Sequence, residues 1–383
     1  MGWRETCYNI AELRKAARRA LPKPVFDFTD GAAEDETTLR RNESDFQRIT
    51  LLPRPLNGPG VPDLSIDLFG KRISMPVMIG PTGLAGLMWP QGEQAAAQAA
   101  AKAGTAYCLS HGSVCRLEDL PASSTPRWMQ VFVYRDRGFT EELARRAQAS
   151  GFDALVLTTD NQVLGNRERD IRNGFTIPPK FKPQDLAAMA TKLGWLMRMR
   201  PELSRITFGN YLREGQPSDI TSMAKQMAGL LDPTMSWRDV DQLRKVWKGP
   251  LILKGVLHPA EAREALEHGV DAVIVSNHGG RQLDGAASGI AALPAIADAV
   301  QGKMPVLMDG GIRRGTDVVK ALAMGAACCL IARPQLWGLA VAGEDGVSHM
   351  LDILKRDIAR AMTLMGAARV TDLTRASVIR EFN

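Results

Sequence analysis

The chain of 383 residues has no apolar run near the ~20 residues that a membrane-spanning helix needs, which argues against an integral membrane protein. Cysteine is scarce. Cys7, Cys108, Cys115, Cys328 and Cys329 are the whole complement, and none stand at CxxC spacing. Neither a disulfide framework nor a zinc or other metal site is expected, only reduced core thiols. No charge of either sign dominates, since 48 Lys and Arg against 42 Asp and Glu leave a net +6. That balance argues against nucleic-acid binding and suits anionic substrates, phosphate cofactors or an anionic membrane surface. With 45% apolar residues the chain does not have the composition of a disordered protein. Its opening stretch, MGWRETCYNIAELRKAARRALP, is charged throughout and lacks the apolar segment of a secretory signal. The expectation is a cytoplasmic protein, free or peripheral on the inner face of the cell membrane.

What is present is a rhythm. From residue 75 short apolar runs alternate with helical ones. The candidate strands are 75–80, 105–110, 128–134, 154–160, 250–256, 272–278, 305–310 and 328–333. They show little polar alternation, as parallel strands covered on both faces do. Helical stretches such as GEQAAAQAAAKAG and PAEAREALEHG end in glycine, the expected stop. Eight strand-then-helix units imply an α/β fold, a (β/α)8 TIM barrel over residues 75–383. A doubly wound sheet would want GxGxxG after its first strand, and none is there. Residues 1–74 read as an N-terminal helical extension, with helices near 10–20 and 31–45 and a hairpin around 64–73. About ninety residues separate the fourth strand from the fifth, so 161–235 reads as an insertion on the barrel's C-terminal face.

Active-site groups of such barrels sit at the C-terminal strand ends. Those ends carry Pro81-Thr82-Gly83, Ser110-His111-Gly112, Gln130 and Phe132, Thr158 and Asp160, Lys254, Ser276-Asn277-His278, Asp309-Gly310-Gly311 and Ala332-Arg333. A lysine, a histidine and two aspartates from four strands are hard to explain as packing. DGGIRRGTD places glycines where backbone N–H groups can approach an anion, with a helix start behind them, and Arg313 or Arg333 can add charge-assisted bonds. A phosphorylated substrate and FMN both satisfy that reading. In SNHGGRQLD, His278 suits a general base at neutral pH and Arg281 can fork a carboxylate. Asp160 can support the protonated His278. Lys254 can sit beside an electron-rich cofactor ring or form a Schiff base; the sequence leaves both open.

Taken together, PTG (81–83), QVF (130–132), TTD (158–160), LKG (253–255), SNHGGRQLD (276–284) and DGGIRRGTD (309–317) resemble the FMN-dependent α-hydroxy acid oxidases and dehydrogenases. The resemblance covers nearly the whole chain. It implies oxidation of a 2-hydroxy acid, with quinone or oxygen as acceptor, in a homotetramer. Pro81, Thr82, Gly83, Ser110, Gln130, Thr158, Lys254 and Ser276 would surround the flavin. Asp309, Gly310, Gly311, Arg313, Ala332 and Arg333 would serve its ribityl and phosphate end. His278 would act as base with Asp160 behind it, and Arg281 and Arg167 would hold the substrate carboxylate. Gly83 leans towards a dehydrogenase.

Three departures stand out. Phe28 and Phe132 replace two family tyrosines that point at the substrate, and Ala332 replaces a common glycine. By the same resemblance, Gly112 sits where glycolate oxidases place a tryptophan, which implies a roomier pocket. An aryl or bulky substrate, mandelate-like, is the resulting expectation; a weakly active or specialised member is the alternative. A flavoprotein without turnover and a phosphate-ligand barrel of another class are also carried, although the latter wants a catalytic cysteine loop that is not found. In the insertion, 185–200 reads as one amphipathic helix with Leu186, Met189, Ala190, Leu193, Leu196 and Met197 on one face. Trp195 and Lys192 lie elsewhere on it, and Lys180 and Lys182 precede it. Peripheral membrane contact through 176–215 follows, as the resemblance also implies.

Overall fold

The computed structural model describes residues 2–175, 183–202, 206–212 and 231–381. Eight parallel strands close into a barrel: β1 (Val77–Ile79), β2 (Tyr107–Leu109), β3 (Arg127–Phe132), β4 (Ala154–Thr158), β5 (Leu251–Val256), β6 (Ala272–Val275), β7 (Val306–Asp309) and β8 (Cys328–Ile331). All eight coincide with the expected runs, and the fold is the (β/α)8 barrel. Along each strand alternate side chains point inward, and the inward set changes character from bottom to top. Trp128 gives way to Gln130, Val156 to Thr158, Ile252 to Lys254, Ile274 to Ser276 and Leu307 to Asp309. One register therefore fills the lower barrel with apolar packing and lines its mouth with polar groups. A hairpin of Ile66–Leu68 and Lys71–Ile73 plugs the bottom, where Leu68 and Ile73 pack with Trp128. All five cysteines are buried and free.

The N-terminal extension differs from the expected pair of helices. It holds three, Ile10–Ala20, Lys23–Asp30 and Thr37–Ser44. Pro22 and Pro24 open the second helix, where their missing N–H groups cost nothing. Glu34 and Glu36 take positive φ and delay the third. The extension lies across the barrel mouth. Asn42 and Asn277 exchange amide hydrogen bonds of 2.9 and 2.7 Å, and Asp284 accepts from the Thr37 and Thr38 amides.

The insertion helix is also corrected. Two helices, Pro183–Ala190 and Leu193–Met199, replace the single one, with the break at Thr191–Lys192. Trp195 faces inward, and its indole N–H donates to the Leu87 carbonyl at 3.0 Å. Leu193 and Met197 turn outward at 66% and 72% exposure. Lys180, Lys182 and much of 176–215 lie outside the described residues. No helix among those described is long and apolar enough to cross a membrane.

Candidate active site

The barrel mouth opens into a cavity of about 700 Å³. All the residues singled out from the sequence line it except Asp160 and Ser276, which stand directly behind its wall. His278 anchors one side. Its Nδ1 lies 2.9 Å from Asp160 Oδ1, and Ser276 Oγ accepts from its backbone N–H at 3.1 Å. An ionised carboxylate only accepts, so the proton sits on Nδ1 and Nε2 keeps its lone pair. His278 is held in the left-handed region at φ 56°, unusual for a side-chain-bearing residue. Burial pushes its pKa below the ordinary value, against the pull of Asp160. Asp160 is itself buried, yet His278 and then Lys254 hold it below the usual carboxylate range. Its neighbour Gly255 is obligatory: φ is +108°, and a Cβ there would come within 2.9 Å of the Asp160 side chain.

Lys254 is buried and bonds to Ser276 Oγ at 2.9 Å and Asp309 Oδ2 at 3.1 Å. Burial works against its charge, but Asp309 and Asp160 outweigh it and raise its pKa. A raised pKa keeps an ammonium in place, which disfavours the Schiff-base reading. Gln130 links the strand ends, accepting from Ser110 Oγ and donating to Thr158 Oγ1.

Four arginines converge on the cavity: Arg167, Arg281, Arg313 and Arg333. Arg333 spends its hydrogen bonds on the carbonyls of Thr29, Gly31 and Gly279. Burial, then Arg281 and Arg313, lower its pKa to about 9. Burial and Arg281 likewise lower Arg167 to about 9. Arg281 faces Asp170 at 3.6 Å and donates to the Phe28 and Gly31 carbonyls. Arg313 pairs with Glu43 at 2.8 Å. Cations this crowded and this poorly neutralised call for an anion. Beside them, Asp309 Oδ1 is buried with no partner among the described residues, and Gly310 and Gly311 present bare backbone at φ 92° and 81°. A Cβ on Gly311 would overlap the Asn42 carbonyl. An anion end, an unsatisfied carboxylate for hydroxyls and a large polar-rimmed cavity together fit FMN. Ala332 has φ −117°, so its departure from glycine causes no strain.

Phe28 stacks on Phe175 at 5.2 Å, and the Phe132 ring lies 4.2 Å from that of His111. The sequence reading counted two phenols lost and did not single out two others nearby. Tyr134 and Tyr211 line the same cavity, and their hydroxyls lie 2.8 and 2.5 Å from His111 Nδ1 and 2.6 Å from each other. Tyr134, two residues beyond Phe132 on one strand face, was detectable. Tyr211 comes from the insertion and carried no signal. Burial drives the His111 pKa down to about 3. An unfolded chain binds this proton below pH ~6.5 and the native one does not. Stability should therefore fall on acidification from about 6.5 towards 3, by roughly 1.4 kcal/mol per pH unit from this group. Urea titrations of wild type and His111→Leu across that window check it, the variant showing the shallower slope.

Gly112 borders the cavity, and a Cβ there would meet only ordinary contacts at 3.8–3.9 Å. Gly112→Trp should thus fold and fill the space with indole. We expect affinity for a bulky ligand to fall relative to a small one by about tenfold or more, read from paired dissociation constants.

A barrel whose mouth gathers half-buried arginines, a carboxylate-backed imidazole and a large cavity defines an enzyme built around an anionic cofactor. The chain belongs to the FMN-dependent dehydrogenase family, whose model matches residues 17–380. FMN is accordingly its cofactor. It is 41% identical over 378 residues to an L-lactate dehydrogenase of Alcaligenes faecalis, covering 97% of this chain and 99% of that one. An L-lactate dehydrogenase of Ectopseudomonas mendocina (strain ymp) is 42% identical over 372 residues, covering 97% and 98%. Among solved structures, the monotopic membrane protein (S)-mandelate dehydrogenase superposes with a TM-score of 0.94 at 36% identity, covering 98% of this chain and 100% of that one. A mandelate oxidase superposes at 0.85 with 36% identity, covering 98% of each.

Proposed function

We propose that the protein oxidises a 2-hydroxy acid with an aryl or other bulky side chain to the 2-oxo acid. One observation carries this reading: His278, backed by Asp160, and Arg281 with Arg167 face a single cavity that also carries an apolar side of Phe28, Phe132, Phe175, Phe208 and Leu231. Arg281 and Arg167 hold the substrate carboxylate as a charge-assisted pair. His278 Nε2 takes the hydroxyl proton, and Asp160 stabilises the imidazolium that results. Bound FMN would supply a two-electron acceptor. The Lys254 ammonium, held by Ser276 and Asp309, would add positive charge to the residues that hold it. Relatives acting on lactate and on mandelate support the substrate class, and Gly112 supports the bulky end of it. The test is anaerobic: hydroxy acids of increasing side-chain size are added to the yellow holoprotein. Mandelate should bleach it faster than lactate; bleaching by neither overturns the reading.

Phe28→Tyr with Phe132→Tyr should raise turnover on mandelate or lactate, because each phenol adds a donor to charged substrate oxygen. Steady-state rates on both acids check this. We further propose peripheral membrane association and a quinone acceptor. The exposed Leu193 and Met197 next to Lys192 support it, as does the monotopic neighbour. Cell fractionation with and without residues 176–215 tests the association; a soluble parent protein rejects it.

A further inference from the structure

Across the cavity from the base lies a group that the proposed reaction does not use. In the closed ring of strands β2 and β6 stand four places apart, on opposite sides. His278 follows β6 and His111 follows β2. A hydroxy acid held with its carboxylate at Arg281 and its hydroxyl at His278 must extend its side chain towards β2 and β3. There it meets Gly112, Phe132, Phe208, Leu231 and the cluster of His111, Tyr134 and Tyr211.

That cluster is built as a fixed donor. Phenols donate well and imidazole nitrogen accepts well, so Tyr211 donates to Nδ1 and Tyr134 to the Tyr211 oxygen. Both phenolic protons are thereby used, and the His111 proton resides on Nε2. The loop is also held from behind. Asn210, fully buried beside Tyr211, donates to the His111 carbonyl at 3.1 Å and to Ser113 Oγ at 2.9 Å, and accepts from the Leu117 amide at 2.7 Å. Yet Nε2 has no hydrogen-bond partner among the described residues, although His111 is only 6% exposed and lines the cavity. A strut would not need that proton. Nε2 is not among the sealed-off polar atoms that lack a partner, so it stays open to the cavity, where an acceptor on a ligand can reach it.

We propose that His111 is a further substrate-contacting residue, whose Nε2–H recognises a neutral oxygen acceptor at the far end of the substrate's side chain. Tyr134 and Tyr211 are positioning residues that fix its tautomer. The class selected is 2-hydroxy acids whose aryl side chain ends in an ether, carbonyl or hydroxyl oxygen. Side chains ending in a carboxylate are disfavoured, since no charged residue among those described lines this wall and burial keeps His111 uncharged. The proposal rests on the 2-hydroxy acid reading for the direction in which the side chain points.

The test uses the FMN-loaded protein and ligands that cannot react. Para- and meta-methoxyphenylacetate are compared with the matching ethylphenylacetates, which replace the ether oxygen by CH2 at nearly constant size. Dissociation constants are read from perturbation of the flavin absorbance. Wild type should favour one methoxy compound over its ethyl partner by about tenfold. His111→Leu should reduce that ratio to within about twofold of unity, and His111→Gln, which keeps a donor, should retain part of it. Tyr211→Phe should lower the ratio by about threefold. Ratios cancel any general loss of affinity. A wild-type ratio near one at both ring positions overturns the proposal without any variant, as does an unaltered ratio in His111→Leu. Absence of binding by all four acids overturns it too. Selective methoxy binding by a protein that no hydroxy acid bleaches would sink the proposed reaction and leave this assignment standing; bleaching without selectivity does the reverse.

Discussion

If His278 is the base proposed above, His278→Gln should lower kcat/KM for the proposed substrate mandelate by about 10³-fold while the protein stays yellow. Glutamine occupies much of the same volume but offers no basic nitrogen, and a positioned base is typically worth about 10²–10⁴-fold. The flavin contacts assigned to Lys254, Ser276 and Gln130 are untouched by the change, so cofactor binding should persist. Wild type sets the companion expectation in pH. Burial holds the His278 pKa below the ordinary 6.5, so the free base survives mild acid. The acid limb of kcat/KM should therefore fall below pH ~6.5, with activity level above it. Asp160→Asn removes the charge that pulls this pKa upward, so the limb should move further into acid. The rate should drop by about 10²–10⁴-fold as well, because the imidazolium loses its partner. A limb that moves towards neutral pH would contradict the assigned pairing. Stopped-flow flavin reduction across pH measures both effects.

Arg281→Ala should lower kcat/KM by about 10²-fold or more, mostly through KM. A buried guanidinium paired with a carboxylate is worth more than an ordinary hydrogen bond, and its removal also strands Asp170. Added guanidinium ion should restore part of the activity by occupying the vacated space. Arg281→Lys keeps the charge and loses the fork, so it should fall between. The same side chain holds the Phe28 and Gly31 carbonyls, and thermal melting separates that contribution. A variant with wild-type KM would remove Arg281 from the substrate site.

How legible was this molecule in its sequence? The barrel was, because unalternating apolar runs recur eight times and most of the helices between them stop at a glycine. The mouth was legible for the same reason: once strand ends are known, Lys254, His278 and Asp309 must share one rim. The neighbourhood of His111 was not. It is assembled by Tyr211, one hundred residues away, from a segment with no hydrophobic period. The insertion helix misled because a 3.6-residue pattern cannot report a break at Thr191–Lys192, nor that Trp195 finds an acceptor in the Leu87 carbonyl. Pro22 and Pro24 hid a short helix that proline reading alone would place in a turn. Such misses share a cause: partners distant in sequence overrode local preference.

The ties between the extension and the barrel rim have a temporal consequence. The carbonyls of Phe28, Thr29 and Gly31 are clasped by Arg281 and Arg333, pairs separated by 250 to 304 positions. Translation yields the earliest of these partners long before the latest. Until the final strand leaves the ribosome, the nascent polypeptide lacks the Arg333 half of its clasp and part of its anion seat. Contacts so distant also slow the search for the native state. Flavin capture is thus a late event, arriving as a seal on a nearly finished molecule.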